Sequence, residues 1–129
     1  MIFYRIEYKE LGYGCYIKDS YRDELTSEQL DFLQNMCDNH SDNTRESHPT
    51  PDGDGICYDK TANNIWLHGC QSINSLANWF YEYGNGLIKY GFNVTRHQST
   101  TYHIGRMQGV FISQSKEIID PKEFLSKVE

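Results

Sequence analysis

The central element of this chain is the stretch Gly69-Cys70-Gln71-Ser72-Ile73-Asn74-Ser75-Leu76-Ala77-Asn78-Trp79-Phe80. Its large apolar side chains share one face at helical spacing: Ile73, Leu76, Trp79 and Phe80. Ser72 ends the polar run before them, and a serine hydroxyl accepts hydrogen bonds from the first turn of a helix. We therefore predict a helix that begins after Ser72, runs to about Tyr83 and is stopped by Gly84 and Gly86.

Strands are predicted on both sides of this helix. Residues 2–8 alternate with period two, and Arg5 lies on the face opposite Ile2, Tyr4, Ile6 and Tyr8. Further short strands are predicted at 56–58, 65–68, 92–95, 101–104 and 110–112. The short connections between the last three predict an antiparallel meander.

Two more helices have recognisable start signals. Thr26 and Gln29 fit a capping box, which predicts a helix over about 27–38. Asp120 followed by Pro121 predicts the start of a short C-terminal helix. Together these elements predict one small α+β domain spanning 1–129, mostly antiparallel sheet with two main helices and a short terminal one. The irregular, polar segment 38–55 has the length of a functional or mobile loop.

The composition restricts the classes of function. The chain has 129 residues, a net charge of −6 and a pI near 5.3, so we expect no direct nucleic-acid binding. No apolar run approaches the roughly 20 residues of a membrane span, and charged residues follow Met1 at once. We therefore expect a cytoplasmic protein with reduced thiols and no membrane partner.

The cysteines and histidines do not form a metal motif. The four cysteines (Cys15, Cys37, Cys57 and Cys70) contain no CxxC pair, and the five histidines contain no HExxH. Asp52-Gly53-Asp54-Gly55 has the start of a calcium loop but not its remaining ligands, so we interpret it as a turn. We expect no metal site, and no sequence motif requires a cofactor.

Two polar residues are candidates for a ligand site. Arg5 lies in the middle of the first strand, where a guanidinium facing a cleft can hold a phosphate or a carboxylate. Gln108 lies between Gly105 and Gly109 next to a strand start. The alternatives are a half-exposed strand arginine and a turn glutamine, and the residues alone leave both open.

The chain resembles a group of small proteins encoded by phages and prophages. The resemblance rests on six short motifs: Tyr4-Arg5, Gly14-x-Tyr16, His48-Pro49-x-Pro51, Ser72 with Leu76 and Trp79-Phe80, Gly91-Phe92-x-Val94, and Gly105-Arg106-x-Gln108-x-Val110-Phe111. It covers most of the chain and implies a phage accessory protein, without implying an activity.

The order of three residues is similar to that of ADP-ribosyltransferases, in which an arginine, a serine and a glutamate follow one another. That similarity implies NAD as a possible cofactor, bound by Arg5 and Ser72, with Gln108 in the third, catalytic role. This chain departs from the family there, because a neutral amide cannot supply a carboxylate's charge. Loss of such electrostatic stabilisation costs about 2–4 kcal/mol in the transition state.

Three hypotheses follow. The first is a non-catalytic phage protein that binds a host protein, with a defence system component as the partner it would inhibit, through Trp66, Asp52 and Asp54. The second is an ADP-ribosyltransferase-like protein, active or degenerate, with Arg5, Ser72 and Gln108 around NAD. The third is a structural or assembly protein. Without a convincing catalytic set, binding is favoured over catalysis.

Overall fold

The computed structural model describes residues 1–9, 13–16, 22–58 and 66–129, and it contains two antiparallel sheets. The first sheet has the strand order β2-β1-β4-β7, with β1 at Ile2–Tyr8, β2 at Tyr13–Gly14, β4 at Phe92–Gln98 and β7 at Ser115–Ile119. The second has the order β3-β6-β5, with β3 at Trp66–Gly69, β5 at Thr101–Ile104 and β6 at Gly109–Ile112. The predicted α+β fold is confirmed.

The α-helices of the described residues are α1 (Ser27–Asp38), α2 (Ile73–Trp79), α3 (Gly84–Lys89) and α4 (Lys122–Leu125). The capping box of α1 is confirmed, because Thr26 Oγ1 accepts from the Gln29 amide at 3.2 Å and Gln29 Oε1 accepts from the Thr26 amide at 2.9 Å. At α4, the carboxylate of Asp120 accepts a hydrogen bond from the Lys122 amide at 2.9 Å. The helix itself begins at Lys122, one residue later than its proline signal predicts.

The helix after Ser72 is shorter than predicted. Ser72 Oγ accepts from the Ser75 amide at 3.0 Å, as a cap should, but α2 ends at Trp79 rather than near Tyr83. Gly84 starts α3 instead of stopping α2. A Cβ at Gly84 would lie 2.7 Å from Val128, so the glycine lets α3 approach the C-terminal segment closely.

Several strand predictions were wrong or incomplete. Residues 56–58 are not a strand, and Ile65 lies outside the described residues. The strands at 92–98, 101–104 and 109–112 do not form one meander, because β4 pairs with β1 and β7 while β5 and β6 form a hairpin in the other sheet. The sequence analysis missed β7, whose exposed residues lack an apolar alternation.

Strand β1 is the central element of the fold, since its second half is buried on both faces. Ile6 and Tyr8 pack against the helices, in a core that includes Val94 of β4 and Leu76 of α2. The opposite face lies between the two sheets, where Phe3 stacks on Phe111 of β6 with ring centroids 4.4 Å apart.

The two sheets meet at the end of β3. The amide of Tyr4 donates to the Cys70 carbonyl at 2.6 Å, and the Cys70 amide returns a bond to the Tyr4 carbonyl at 2.8 Å. Beside this bridge the paired residues Gly69 and Gly109 leave room for aromatic rings. A Cβ at Gly109 would lie 2.5 Å from the ring of Phe3, so the junction requires a residue without a side chain.

We predict that Gly109→Ala destabilises the fold. The added methyl group would press on Phe3, which is buried and stacked and therefore cannot move away, at a cost of about 1–3 kcal/mol in the free energy of unfolding. Urea unfolding measures this difference. Gly53→Ala is the matched control, because its Cβ would meet nothing closer than Thr50 Oγ1 at 3.3 Å. Equal stability of the two variants would contradict the prediction.

Candidate functional site

A cleft of about 920 Å³ opens beside the sheet junction. Its walls are formed by Arg5 of β1 and by residues 66–70, which comprise β3 and the residue after it. Leu76 and Trp79 of α2 and parts of the segment that follows α1 also contribute. Gln108, just before β6, closes one side. We call this space the cleft. Its volume lies within the range of pockets that hold small ligands and cofactors, about 300–1,000 Å³.

Arg5 and Arg45 put positive charge on the wall of the cleft. The ionisable basic side chains on its wall are Arg5, Arg45, His40, His48 and His68. Among the described residues that line it there is no aspartate or glutamate, although the chain carries 18 acidic residues and a net charge of −6. The cleft is therefore a basic site in an acidic protein, which favours an anionic ligand.

Arg5 is held in place at the base of the cleft. Its Nε lies 2.7 Å from a carboxylate oxygen of Glu7, and its Nη1 donates to the His68 carbonyl at 3.1 Å. Gly14 on the neighbouring strand leaves space for the guanidinium, since a Cβ there would lie 3.1 Å from Nη2. The arginine is thus oriented before any ligand arrives.

Glu7 is the centre of a buried charge network that the sequence did not predict. Besides Arg5, its carboxylate contacts Nζ of Lys116 at 3.0 Å and accepts from Nε2 of His97 at 2.8 Å. Burial raises the pKa of Glu7, but the hydrogen bond from His97, the charge of Arg5 and the hydrogen bond from Lys116 outweigh it and lower the pKa to about 2. Glu7 is therefore ionised at neutral pH.

Gln108 and Asp54 fasten the segment 38–55 to the second sheet. The Gln108 side-chain amide donates to the Pro49 carbonyl at 2.6 Å. From the same segment, Oδ2 of Asp54 accepts hydrogen bonds from the backbone amides of Met107 at 2.8 Å and Gln108 at 3.0 Å. Asp54 is buried, so its carboxylate holds this turn from inside the protein.

The structure brings some of the predicted site residues together and separates others. Arg5 and Gln108 line the same cleft, and so does Trp66. Ser72 does not line it, and its hydroxyl caps α2. Asp52 is exposed on the surface, whereas the burial of Asp54 does not fit its predicted contact with a partner.

Four aromatic residues that the sequence analysis did not select form another part of the wall: Tyr16, His40, His48 and Trp79. The Trp79 indole donates to the Tyr16 hydroxyl at 2.7 Å, and that hydroxyl is hydrogen-bonded to Nδ1 of His40. The two imidazoles stack with centroids 3.7 Å apart. The sequence carries only a weak signal for these residues, because His40 and His48 lie in an irregular segment. The position of that segment in the fold depends on tertiary structure.

Other classes of site have no support in the described ranges 1–9, 13–16, 22–58 and 66–129. There, no three or more histidine, cysteine or acidic side chains come together as potential metal ligands. Within the same ranges, no helix has the length and apolar character needed to cross a bilayer.

The Glu7 network predicts a specific dependence of stability on pH. Because the pKa of Glu7 is about 2 in the folded state against an ordinary 4.5, its contribution is complete above pH 4.5 and is lost as the pH falls toward 2. The lowered pKa corresponds to roughly 3 kcal/mol. We expect Glu7→Gln to lower the free energy of unfolding at pH 7 by about that amount. The variant should also lose less stability than the wild type as the pH falls from 4.5 to 2.

Urea unfolding at several pH values tests this prediction. Glu117→Gln serves as the control, because the Glu117 side chain is 59% exposed and pairs with Arg96 at the surface. Parallel stability curves for the wild type and Glu7→Gln from pH 7 to 2 would show that the network contributes no such dependence.

Comparison with known proteins supports one of the two resemblances. A family model described as Bacteriophage T4 Y00F protein matches residues 1–125, which supports a phage accessory protein. No curated protein and no solved structure matches the chain significantly, and the similarity to ADP-ribosyltransferases is not shown. Because the family model matches almost the whole sequence, this chain belongs to the Bacteriophage T4 Y00F protein family.

Proposed function

We propose that this phage accessory protein binds an anionic nucleotide-type ligand in the cleft, with NAD as the candidate. The observation that carries the proposal is the charge of the wall: Arg5 and Arg45 without an acidic residue among the described lining, in a protein of net charge −6. A phosphate-bearing ligand is the natural complement of such a wall.

The shape and chemistry of the wall support the same class of ligand. The wall is mostly apolar with a few polar groups, which is typical of cofactor and nucleotide sites. Trp66 and Trp79 both contribute to it and offer flat surfaces for a base or a nicotinamide ring. Arg5 contributes the positive charge of its guanidinium to the wall, which favours phosphate oxygens.

The charge balance around Arg5 leaves it able to attract an anion. Glu7 is shared between Arg5 and Lys116, so two fixed cations surround one carboxylate. Glu7 therefore orients the guanidinium without neutralising the whole site. The side-chain amide of Gln108 is engaged with Pro49. For these reasons we propose ligand binding rather than transfer of ADP-ribose.

The test is a titration of the purified protein with NAD, in which binding is measured by calorimetry and by tryptophan fluorescence. The chain has two tryptophans and both line the cleft, so ligand binding should change the emission. We expect Arg5→Gln to weaken binding about tenfold or more, since hydrogen bonds to charged groups contribute about 1.5–3 kcal/mol.

Arg106→Ala is the matched control, because that side chain is 81% exposed and does not line the cleft. Circular dichroism and thermal unfolding establish that Arg5→Gln remains folded despite the loss of its contact with Glu7. Absence of wild-type binding at millimolar NAD would overturn the proposed ligand.

A second candidate function is binding of a host protein, with a defence system component as the proposed partner. The observation that favours it is the edge strand β5, whose four residues are all exposed. Tyr102 and Ile104 on this strand and Met107 just after it are large apolar side chains with about 40% of their surface in water. Edge strands of this kind accept a strand from a partner.

Affinity capture from host extract separates this function from ligand binding. We expect Ile104→Lys to abolish retention of a stoichiometric host protein, because a charge on the edge opposes strand addition. Arg5→Gln should retain the same protein. If both variants and the wild type retain identical proteins, the edge strand is not the binding surface.

A further inference from the structure

We propose that Ser113 is a nucleophile, activated by His97 and positioned by Glu7, that accepts the acyl group of an ester. The three side chains are joined by hydrogen bonds outside the cleft, since neither Ser113 nor His97 belongs to its described lining. The inference is therefore independent of the proposed ligand, and it adds a reaction to a protein proposed above to act by binding.

The hydrogen bonds follow the order nucleophile, base, carboxylate. Oγ of Ser113 lies 2.7 Å from Nδ1 of His97, and Nε2 of the same ring lies 2.8 Å from Oε2 of Glu7. The Ser113 hydroxyl also lies 3.3 Å from the Ser115 carbonyl, beyond the usual distance of a hydroxyl hydrogen bond, so Nδ1 is its closer partner. A serine, a histidine and an acid in this order can remove the hydroxyl proton as the oxygen attacks a carbonyl carbon.

Glu7 determines which ring nitrogen keeps a proton. Its carboxylate is ionised at neutral pH and can only accept, so the proton of a neutral imidazole is held on Nε2. Nδ1 then has a lone pair directed at the Ser113 hydroxyl. A doubly protonated ring would donate from Nδ1 to Ser113 instead. The hydroxyl is therefore activated once the ring of His97 has lost that proton, and its reactivity should rise with pH until the ring is neutral.

The base is held rigidly inside the protein. The side chains of His97 and Glu7 are 2% and 1% exposed, and the ring of Phe111 packs against the imidazole with centroids 5.2 Å apart. The charged groups of this network are Glu7 itself, Arg5 on the same strand and Lys116 on β7. An imidazolium that forms during the reaction would lie next to the carboxylate of Glu7, which stabilises it.

Ser113 lies where this buried network reaches the surface. It belongs to the two-residue connection that carries the chain from β6 in the second sheet to β7 in the first. The next residue, Gln114, holds the connection in place: its backbone amide donates to the Gln98 carbonyl at 2.9 Å, and its side chain donates to the Thr100 hydroxyl at 2.7 Å. Ser113 is partly exposed, so a reactant can approach it from solvent while the base stays buried.

The proposed step is a transfer of the acyl group without oxidation or reduction. Oγ of Ser113 forms a bond to the acyl carbon while its proton passes to Nδ1 of His97. The bond between that carbon and the alcohol oxygen of the ester then breaks, and the leaving oxygen takes the proton from Nδ1. The products are an acyl ester of Ser113 and a free alcohol, and the imidazole is neutral again.

Two reagents test this step on the whole protein. An alkyl fluorophosphonate reacts with activated serines: Oγ bonds to phosphorus, fluoride leaves, and the proton passes through His97 to solvent. We expect peptide mass spectrometry to find the adduct on Ser113, with a rate that rises with pH and then levels off. After p-nitrophenyl acetate and an acid quench, the same peptide should carry an acetyl ester.

Substitutions test each role. Ser113→Ala should abolish both adducts, and His97→Gln should slow the phosphonylation of Ser113 at least a hundredfold, since a general base contributes about 10²–10⁴ in rate. Glu7→Gln should slow it at least tenfold and move the rise of the pH profile to lower pH, because a lost negative charge favours the neutral ring. The matched control is Ser126→Ala, which removes an exposed hydroxyl bonded to the Glu123 carbonyl and should react as the wild type does.

Circular dichroism establishes that each variant is folded, and the pH profile of the wild type needs no variant at all. Absence of either adduct on Ser113 would overturn the proposal. So would a rate that keeps rising tenfold per pH unit to pH 9, since that is the behaviour of an ordinary hydroxyl. Because the site lies outside the cleft, neither result depends on whether the protein binds NAD.

Discussion

The close approach of the two sheets is the constraint on which the rest of this structure depends. The reciprocal hydrogen bonds between Tyr4 and Cys70 join β1 to the end of β3. Because Gly69 and Gly109 carry no side chains beside this bridge, Phe3 can stack on Phe111 between the sheets. Arg5 and residues 66–70 of the cleft wall lie beside this junction, where a Cβ at Gly109 would collide with the ring of Phe3.

The same junction explains how an acidic protein acquires a basic cleft. The strand that crosses it carries Arg5 toward the cleft and Glu7 two residues further along the same face. Lys116 of β7 and His97 of β4 meet Glu7 from the neighbouring strands. Glu7 is thus buried among Arg5, Lys116 and His97, and neither it nor any other acidic residue belongs to the described lining of the cleft.

The sequence predicted best where the signal was local. Thr26 and Gln29 identify their helix because both hydrogen bonds of the capping box lie within four residues. Ser72 identifies the start of α2 for the same reason, but the sequence analysis placed its end near Tyr83 and missed the end at Trp79. Contacts between distant parts of the chain leave no such local pattern.

The candidate site illustrates the same limit. Arg5 was identifiable because an arginine in the middle of an apolar strand is unusual, and it does line the cleft. The relation between His48 and Trp79 joins residues 31 positions apart, and the burial of Asp54 follows from amide groups 53 and 54 positions away. Spacing within the sequence could not have indicated either contact.

The attachment of the segment 38–55 has a mechanical consequence. Neighbouring residues anchor it to different parts of the molecule: His48 to the end of α2 and Pro49 to Gln108 beside β6. The segment thus connects the end of α2 to the second sheet through two adjacent residues, so that loss of one anchor leaves the other in place. The energetic effects of the two anchors should therefore be coupled rather than additive.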